Sequence, residues 1–175
     1  GSTEKQQADI NKAIRDTVTV ARNEWKYVSD VELALSDKLP TVPCLLGDFS
    51  QVILNMIVNA AHAIADVVKD RAGEKGKITI STALDKGWAV VQISDTGAGI
   101  PEAIRDRIFD PFFTTKAPGT GSGQGLAIAH SVVVDRHGGN ISVESQIGIG
   151  TTFTIRLPLD THASKPASGR TVNVS

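Results

Sequence analysis

One cysteine, one methionine, one tyrosine and an aromatic share of only 5% mark this chain of 175 residues. The single Cys44 excludes an internal disulfide and suits a reducing compartment such as the cytoplasm. No uninterrupted apolar run approaches the length of a membrane span, and no signal peptide opens the chain. Neither sign of charge dominates. With 18 Lys and Arg against 19 Asp and Glu, the net charge of -1 gives no electrostatic reason to bind nucleic acid or a membrane surface. What is present, 41% hydrophobic and 21% charged residues, suits one soluble domain with an ordinary core. Gly1-Ser2 has the form of a scar left by tag removal, so the chain reads as a piece of a longer protein. Residues 1–22 then read as tag remnant and helical link to another domain, 23–160 as the domain itself, and the Ser/Pro/Ala-rich 161–175 as a flexible tail or linker.

Hydrophobic periodicity gives the organisation. Ile10, Ala13, Ile14, Thr17, Val18 and Ala21 share one helical face. Trp25-Lys-Tyr-Val28 and Val31-Glu-Leu-Ala-Leu35 alternate as strands around a Ser29-Asp30 turn. Pro40 and Pro43 break the chain before a helix that starts near Asp48 and runs to about Val68, apolar over much of its circumference and therefore largely buried. Two strands, 77–82 and 88–94, turn at Asp85-Lys-Gly87, and Pro101 opens a short helix. A helix from Gln124 ends at Gly138-Gly139, and strands at 141–145 and 151–157 close the domain as a hairpin. Consecutive pairs of strands with helices between the pairs favour a two-layer α/β sandwich. Its sheet is mixed and mostly antiparallel, with helices on one face, because a doubly wound parallel sheet needs strict alternation.

Glycine, by contrast, is concentrated. Asp95-Thr-Gly-Ala-Gly-Ile100 and Gly119-Thr-Gly-Ser-Gly-Gln-Gly125 flank Phe109-Asp-Pro-Phe-Phe-Thr-Thr-Lys116. Glycines at this density admit close backbone approach to a ligand, and the second segment runs directly into a helix, whose free N–H groups attract an anion such as phosphate. The familiar phosphate motifs are absent. The nearest approach to a P-loop is Gly76-Lys77, but Arg71 stands in the first glycine position and Ile78 follows the lysine, and no glycine triplet has the dinucleotide spacing. A flexible linker is the bland alternative for the second segment.

A polar row crosses the apolar helix. Asn55, Asn59 and His62 stand at i, i+4 and i+7, with Asp66 extending the row. Buried amides are costly without partners, so the row is either internally paired or a ligand face. Amide oxygens suit magnesium, which takes one or two protein ligands beside phosphates and water.

In order and spacing, Asn55-Met-Ile-Val-Asn-Ala60, the 95–100 segment, the 109–116 segment and Gly121-Ser-Gly-Gln-Gly-Leu126 resemble the N, G1, F and G2 boxes of the sensor histidine kinase catalytic domain. This domain belongs to the gyrase, chaperone, histidine kinase and mismatch-repair ATP-binding superfamily. The resemblance spans 48–158 and includes Gly148-Ile-Gly-Thr-Thr-Phe153, and the Phe-Phe-Thr-Thr-Lys form is similar to the nitrogen-regulation subclass. It implies a Bergerat-type sandwich that binds ATP and magnesium. Asn59 matches the magnesium ligand, Asn55 the polar residue one turn earlier, and His62 a position that often contacts phosphate. Asp95 matches the acceptor of the adenine amino group, a role that fits an ionised carboxylate because it only accepts. Thr151 matches a threonine that reaches the adenine side through water. Gly97, Gly99 and Ile100 would lie under the base, while Phe112, Thr114, Thr115, Lys116, Gly121, Ser122, Gly123, Gln124, Gly125 and Leu126 would form the lid and phosphate cradle, with Lys116 touching phosphate.

The reaction is less directly written. Hydrolysing members of the superfamily carry a glutamate four residues before the magnesium asparagine, and here Asn55 stands there. An amide is no general base, which disfavours hydrolysis and leaves phosphoryl transfer to histidine, a reaction of positioning and charge neutralisation. None of His62, His130, His137 and His162 precedes an acidic residue as an acceptor would. The acceptor is therefore expected on a separate dimerisation domain, with a response regulator downstream, this piece monomeric and the whole protein a homodimer. The resemblance implies a cytoplasmic module, with or without an inner-membrane anchor elsewhere. A slow ATPase or switch, a serine kinase of the anti-sigma type and a non-catalytic interaction module remain the alternatives.

Overall fold

Asp9 accepts a hydrogen bond from the Lys12 N–H (3.0 Å) and so caps the first helix, α1 (Ile10–Val20), in a computed structural model that describes residues 4–111, 113 and 125–160. Its apolar face, Ile10, Ala13, Ile14 and Val18, is buried against the long helix α3 (Leu46–Val68). Asn11 fixes α1 from the side: its Nδ2 donates to the Ser36 carbonyl and its Oδ1 accepts from Thr82 (both 2.8 Å). The core cluster includes residues of α1 as well as of the later elements.

Five strands build the main sheet: β2 (Ser29–Ala34), β4 (Gly76–Asp85), β5 (Trp88–Asp95), β6 (Asn140–Gln146) and β7 (Gly150–Pro158), in the order β2-β4-β5-β7-β6. β2 runs parallel to β4, and the other pairs are antiparallel. The β4–β5 turn places Lys86 (φ 48°) and Gly87 (φ 85°) both in the left-handed region, as a two-residue hairpin turn demands. One sheet face, carrying Ile78, Ile80, Val91, Ile93, Val143, Phe153 and Ile155, is buried in the same core as α1 and α3. The other carries hydrogen-bonded polar pairs such as Gln92–Thr154 and Ser94–Thr152. This is the mixed, mostly antiparallel sandwich expected.

Several local expectations fail. Residues 25–28 are not a strand. Arg22–Trp25 forms a short helix, α2, because the Trp25 indole turns back to donate to the Val18 carbonyl (3.0 Å), and Lys26 and Val28 close helical turns. Ser29 and Asp30 are not a turn but begin β2. β3 (Val42–Cys44) contains Pro43, which the edge of a two-stranded ladder with β1 (Gln6–Ala8) tolerates. α3 starts at Leu46 rather than near Asp48, and it has the length and mean hydropathy (1.4) of a bilayer-crossing helix. Its buried residues, from Phe49 through Ile53, Met56, Ile57 and Ala60 to Ile64, line the side packed under the sheet. The last helix is interrupted. α4 (Gly125–His130) gives way to a π-helical stretch, Ser131–Arg136, where the His137 ring takes up the Val132 carbonyl (2.8 Å).

Candidate nucleotide-binding site

The half-buried side chains of Asn55, Asn59 and His62 form the polar margin of α3, beside its buried apolar face. Asn55 is engaged at both ends of its amide: Nδ2 donates to the Gly125 carbonyl (3.3 Å) and Oδ1 accepts from Gln51 Nε2 (2.8 Å). It therefore ties the start of α4 to α3. Asn59, one turn on, makes no side-chain hydrogen bond among the described residues, so its carbonyl oxygen is available. Among the described residues no three His, Cys, Asp or Glu side chains cluster. A cation here would draw its ligands from Asn59, water and a bound anion, a donor set that suits magnesium.

Asp95 ends β5 opposite Thr151 of β7. Gly97 N–H donates to its Oδ1 (2.8 Å) and the Thr151 backbone also donates, yet burial outweighs both and pushes the carboxyl up from 3.8 to about 6. The loop that follows is held by hydrogen bonds to its backbone from three sides. Ala98 N–H donates to the Ala63 carbonyl on α3 (3.2 Å), and its own carbonyl accepts from Gly148 N–H in the β6–β7 turn (3.0 Å). The Ile100 N–H donates to Ser145 Oγ (2.8 Å) and its carbonyl accepts from Arg105 Nε (3.1 Å).

Both glycines of this loop answer to neighbouring backbone. A Cβ on Gly97 would lie 2.6 Å from the Ala63 backbone, and one on Gly99, whose φ is 83°, would lie 2.5 Å from the Gln146 carbonyl oxygen. They bring the Asp95 loop down between α3 and the hairpin turn, next to the row of Asn59 and His62. A third glycine, Gly150, does the same from the other side: a Cβ there would overlap the Asp95 carbonyl.

Of the residues expected in the site, the structure thus sets Asn55 with Gly125 near the middle of α3, and Asp95, Gly97, Gly99, Ile100 and Thr151 together beside Ala63, two turns on. Leu126 packs against the core from α4. Phe112, Thr114, Thr115, Lys116, Gly121, Ser122, Gly123 and Gln124 lie outside the described residues. Phe109 is a packing residue, 4% exposed, with its ring 5.5 Å from that of His130 and 6.3 Å from Phe153. Thr151 is buried with its hydroxyl 2.8 Å from Ser145 Oγ.

Sequence reasoning missed Ser145 and Arg105. Ser145 alternates correctly for a strand interior and Arg105 sits in a short polar helix, so neither departs from its local pattern. Only the spacing of Ser145 before the Gly148–Gly150 turn hinted at a hydroxyl facing that turn.

Residues 47–161 match the family model of the histidine kinase-, DNA gyrase B- and HSP90-like ATPases. The sensor histidine kinase ZraS of Escherichia coli (strain K12) is 34% identical over 162 residues, which are 92% of this chain and 32% of ZraS. The chain therefore spans about a third of that relative's length. The catalytic domain of the histidine kinase ThkA superposes with a TM-score of 0.75 at 28% identity, covering 89% of this chain and 96% of that one. A structure of ThkA in complex with the response regulator protein TrrA gives 0.71 at 26% identity, over 89% of this chain and 42% of that one. With its sandwich, its asparagine helix and its docked glycine loop, the chain belongs to the histidine kinase-, DNA gyrase B- and HSP90-like ATPase family, on the histidine kinase side of it.

Proposed function

We propose that this chain is the ATP-binding catalytic module of a sensor histidine kinase, which binds ATP with magnesium and transfers the γ-phosphoryl group to a histidine on a separate dimerisation domain. The observation that carries this reading is the docking of the Asp95 loop onto α3 one turn from Asn59, whose amide is unpaired among the described residues. That juxtaposition offers a carboxylate acceptor for an adenine amine and a hard oxygen for a cation on one continuous surface. Magnesium, when bound, neutralises phosphate charge and orients the group to be transferred. Asn59 would hold it. Asp95 would accept from the adenine amine, with Gly97 to Ile100 backing the base and Thr151 reaching it through water. His62 would contact phosphate. The segment from Thr114 to Gln124, with Phe112 at its root, is assigned the lid, and Lys116 a phosphate contact.

Transfer is favoured over hydrolysis because Asn55 is an amide whose donor and acceptor are both engaged within the protein. It can hold α4 against α3 but cannot deprotonate water. Two of the described histidines are poor acceptors: the His137 ring is buried and bonded at both nitrogens, and His130 lies against Phe109. The phosphoryl group must leave the domain. An acceptor histidine on a separate dimerisation domain, a homodimer through that domain, a response regulator downstream and a cytoplasmic location for this module belong to the same proposal. Similarity to ZraS and to the ThkA that binds TrrA supports that reading. Calorimetry with ATP and GTP, each with and without magnesium, tests the nucleotide part. ATP with magnesium should bind at least tenfold more tightly than GTP; equal binding of the two would remove the role given to Asp95.

A further inference from the structure

Ile100 closes the glycine loop, and two buried polar side chains grip both of its backbone groups. Ser145, from β6 and 4% exposed, accepts from its N–H; Arg105, from the 3-10 helix Glu102–Arg107 and also 4% exposed, donates through Nε to its carbonyl. Neither contact is incidental to a larger network of solvent-exposed bonds. The Ser145 hydroxyl is fully used: it donates to the Gly150 carbonyl (3.0 Å), accepts from Ile100, and lies 2.8 Å from Thr151 Oγ1. Gly150 and Thr151 in turn abut Asp95 from β7. One hydroxyl therefore sets the loop's far end and the strand beside its near end.

Arg105 is the more telling of the two. Its Nη1 is buried and has no hydrogen-bond partner among the described residues. Burying a guanidinium nitrogen unpaired is unfavourable, and an apolar side chain of similar length would fill the same space without that cost. What the apolar side chain would lack is the Nε–H bond to Ile100. We propose that Arg105 and Ser145 are positioning residues of the nucleotide site: together they clamp the two peptide groups of Ile100 and thereby hold the loop from Asp95 to Ile100 in its adenine-accepting shape before nucleotide arrives. The proposal rests on the nucleotide-binding reading above. Neither side chain needs to touch the ligand. The clamp acts by sparing the ordering of the loop upon binding, which is the general route by which preorganisation raises affinity.

A space-filling role and a positioning role give opposite signs for Arg105. The test is Mg-ADP titration by calorimetry alongside thermal unfolding, for the wild-type chain, Arg105→Met, Arg105→Lys, Ser145→Ala and the Arg105→Met/Ser145→Ala pair. Arg105→Met should weaken Mg-ADP about tenfold, the equivalent of one lost hydrogen bond, while its unfolding midpoint stays level or rises. Arg105→Lys should recover most of the affinity, since an ammonium can still donate to the carbonyl. Ser145→Ala should weaken binding by a similar factor, and the pair should lose less than the product of the two single factors, because both act on one residue. Arg105→Met binding as tightly as wild type, or losing affinity only in step with a lowered midpoint and without rescue by lysine, would overturn the clamp alone. A wild-type chain that binds no Mg-ADP would overturn both the clamp and the nucleotide reading.

Discussion

Asp95 is held in a contradiction that defines how the site should respond to pH. Burial raises its carboxyl to about 6, while its proposed work, accepting from an adenine amine, belongs to the ionised form. Acidification through pH 6 should therefore weaken ATP binding, and binding near pH 6 should release protons, which calorimetry in buffers of different ionisation enthalpy would detect. The linkage to stability runs the other way. A carboxyl whose folded value lies above its unfolded one favours the folded state below about pH 4 and loses that contribution as pH rises through about 6. The difference is on the order of 2–3 kcal/mol at neutral pH. Asp95→Asn keeps an acceptor for the Gly97 N–H but removes the buried charge. It should melt higher than wild type at pH 7.5 and yet bind ATP more weakly; a lower melting point would show that the carboxylate is not held at a cost. His137 carries the opposite sign. Its Nδ1–H donates to Val132 and its Nε2 accepts from Leu45 N–H (3.0 Å), an arrangement only the neutral ring can make. Burial is the main cause that holds its value below the ordinary 6.5, against the Val132 hydrogen bond and Asp48, with Lys5 and Arg136 acting in the same direction as burial. Stability from this group is full above pH 6.5 and is lost as pH falls below it. Between pH 7.5 and 5.5 the denaturant midpoint of wild type should fall relative to that of His137→Gln, whose amide has no such titration, the opposing Asp95 contribution being common to both.

At the scale of elements, α3 is the platform and the loop from Asp95 to Ile100 is docked upon it. Close approach at Gly97 sets that docking, so Gly97→Ala should displace the loop from Ala63, costing about 1–3 kcal/mol in stability and reducing ATP affinity at least tenfold. Wild-type affinity in a folded Gly97→Ala variant would contradict the docking account. The same elements show what could be read from residue order. The helical rows of α1 and α3, the strands β4 to β7 and the Lys86-Gly87 turn follow from periodicity and turn chemistry, because each obeys a local rule. Trp25 did not, since its indole answers to a carbonyl seven residues back rather than to strand alternation. β1 and β3 are three residues each, too short to show a period, and Pro43 argued against a strand that its edge position permits. In the site, asparagines, aspartate and glycines were legible as motifs. Ser145 and Arg105 were not, because their roles exist only where distant segments meet.

For the whole molecule, the proposed function assigns three tasks: the Asp95 loop to the base, Asn59 to the cation, and α4, tethered by Asn55, to the exit of the glycine-rich segment. Asn55 on this surface is an amide and no general base, and His137 and His130 are buried or packed against Phe109. On the proposed reading the domain holds a nucleotide poised for a nucleophile from elsewhere. Incubation with γ-labelled ATP and magnesium, for the chain alone and together with a dimerisation domain bearing the acceptor histidine, tests that division most directly. The account predicts acid-labile label on the dimerisation domain only, with little label on this chain and slow release of phosphate in the acceptor's absence. Efficient labelling of one of this chain's own histidines, or rapid steady hydrolysis without an acceptor, would contradict it.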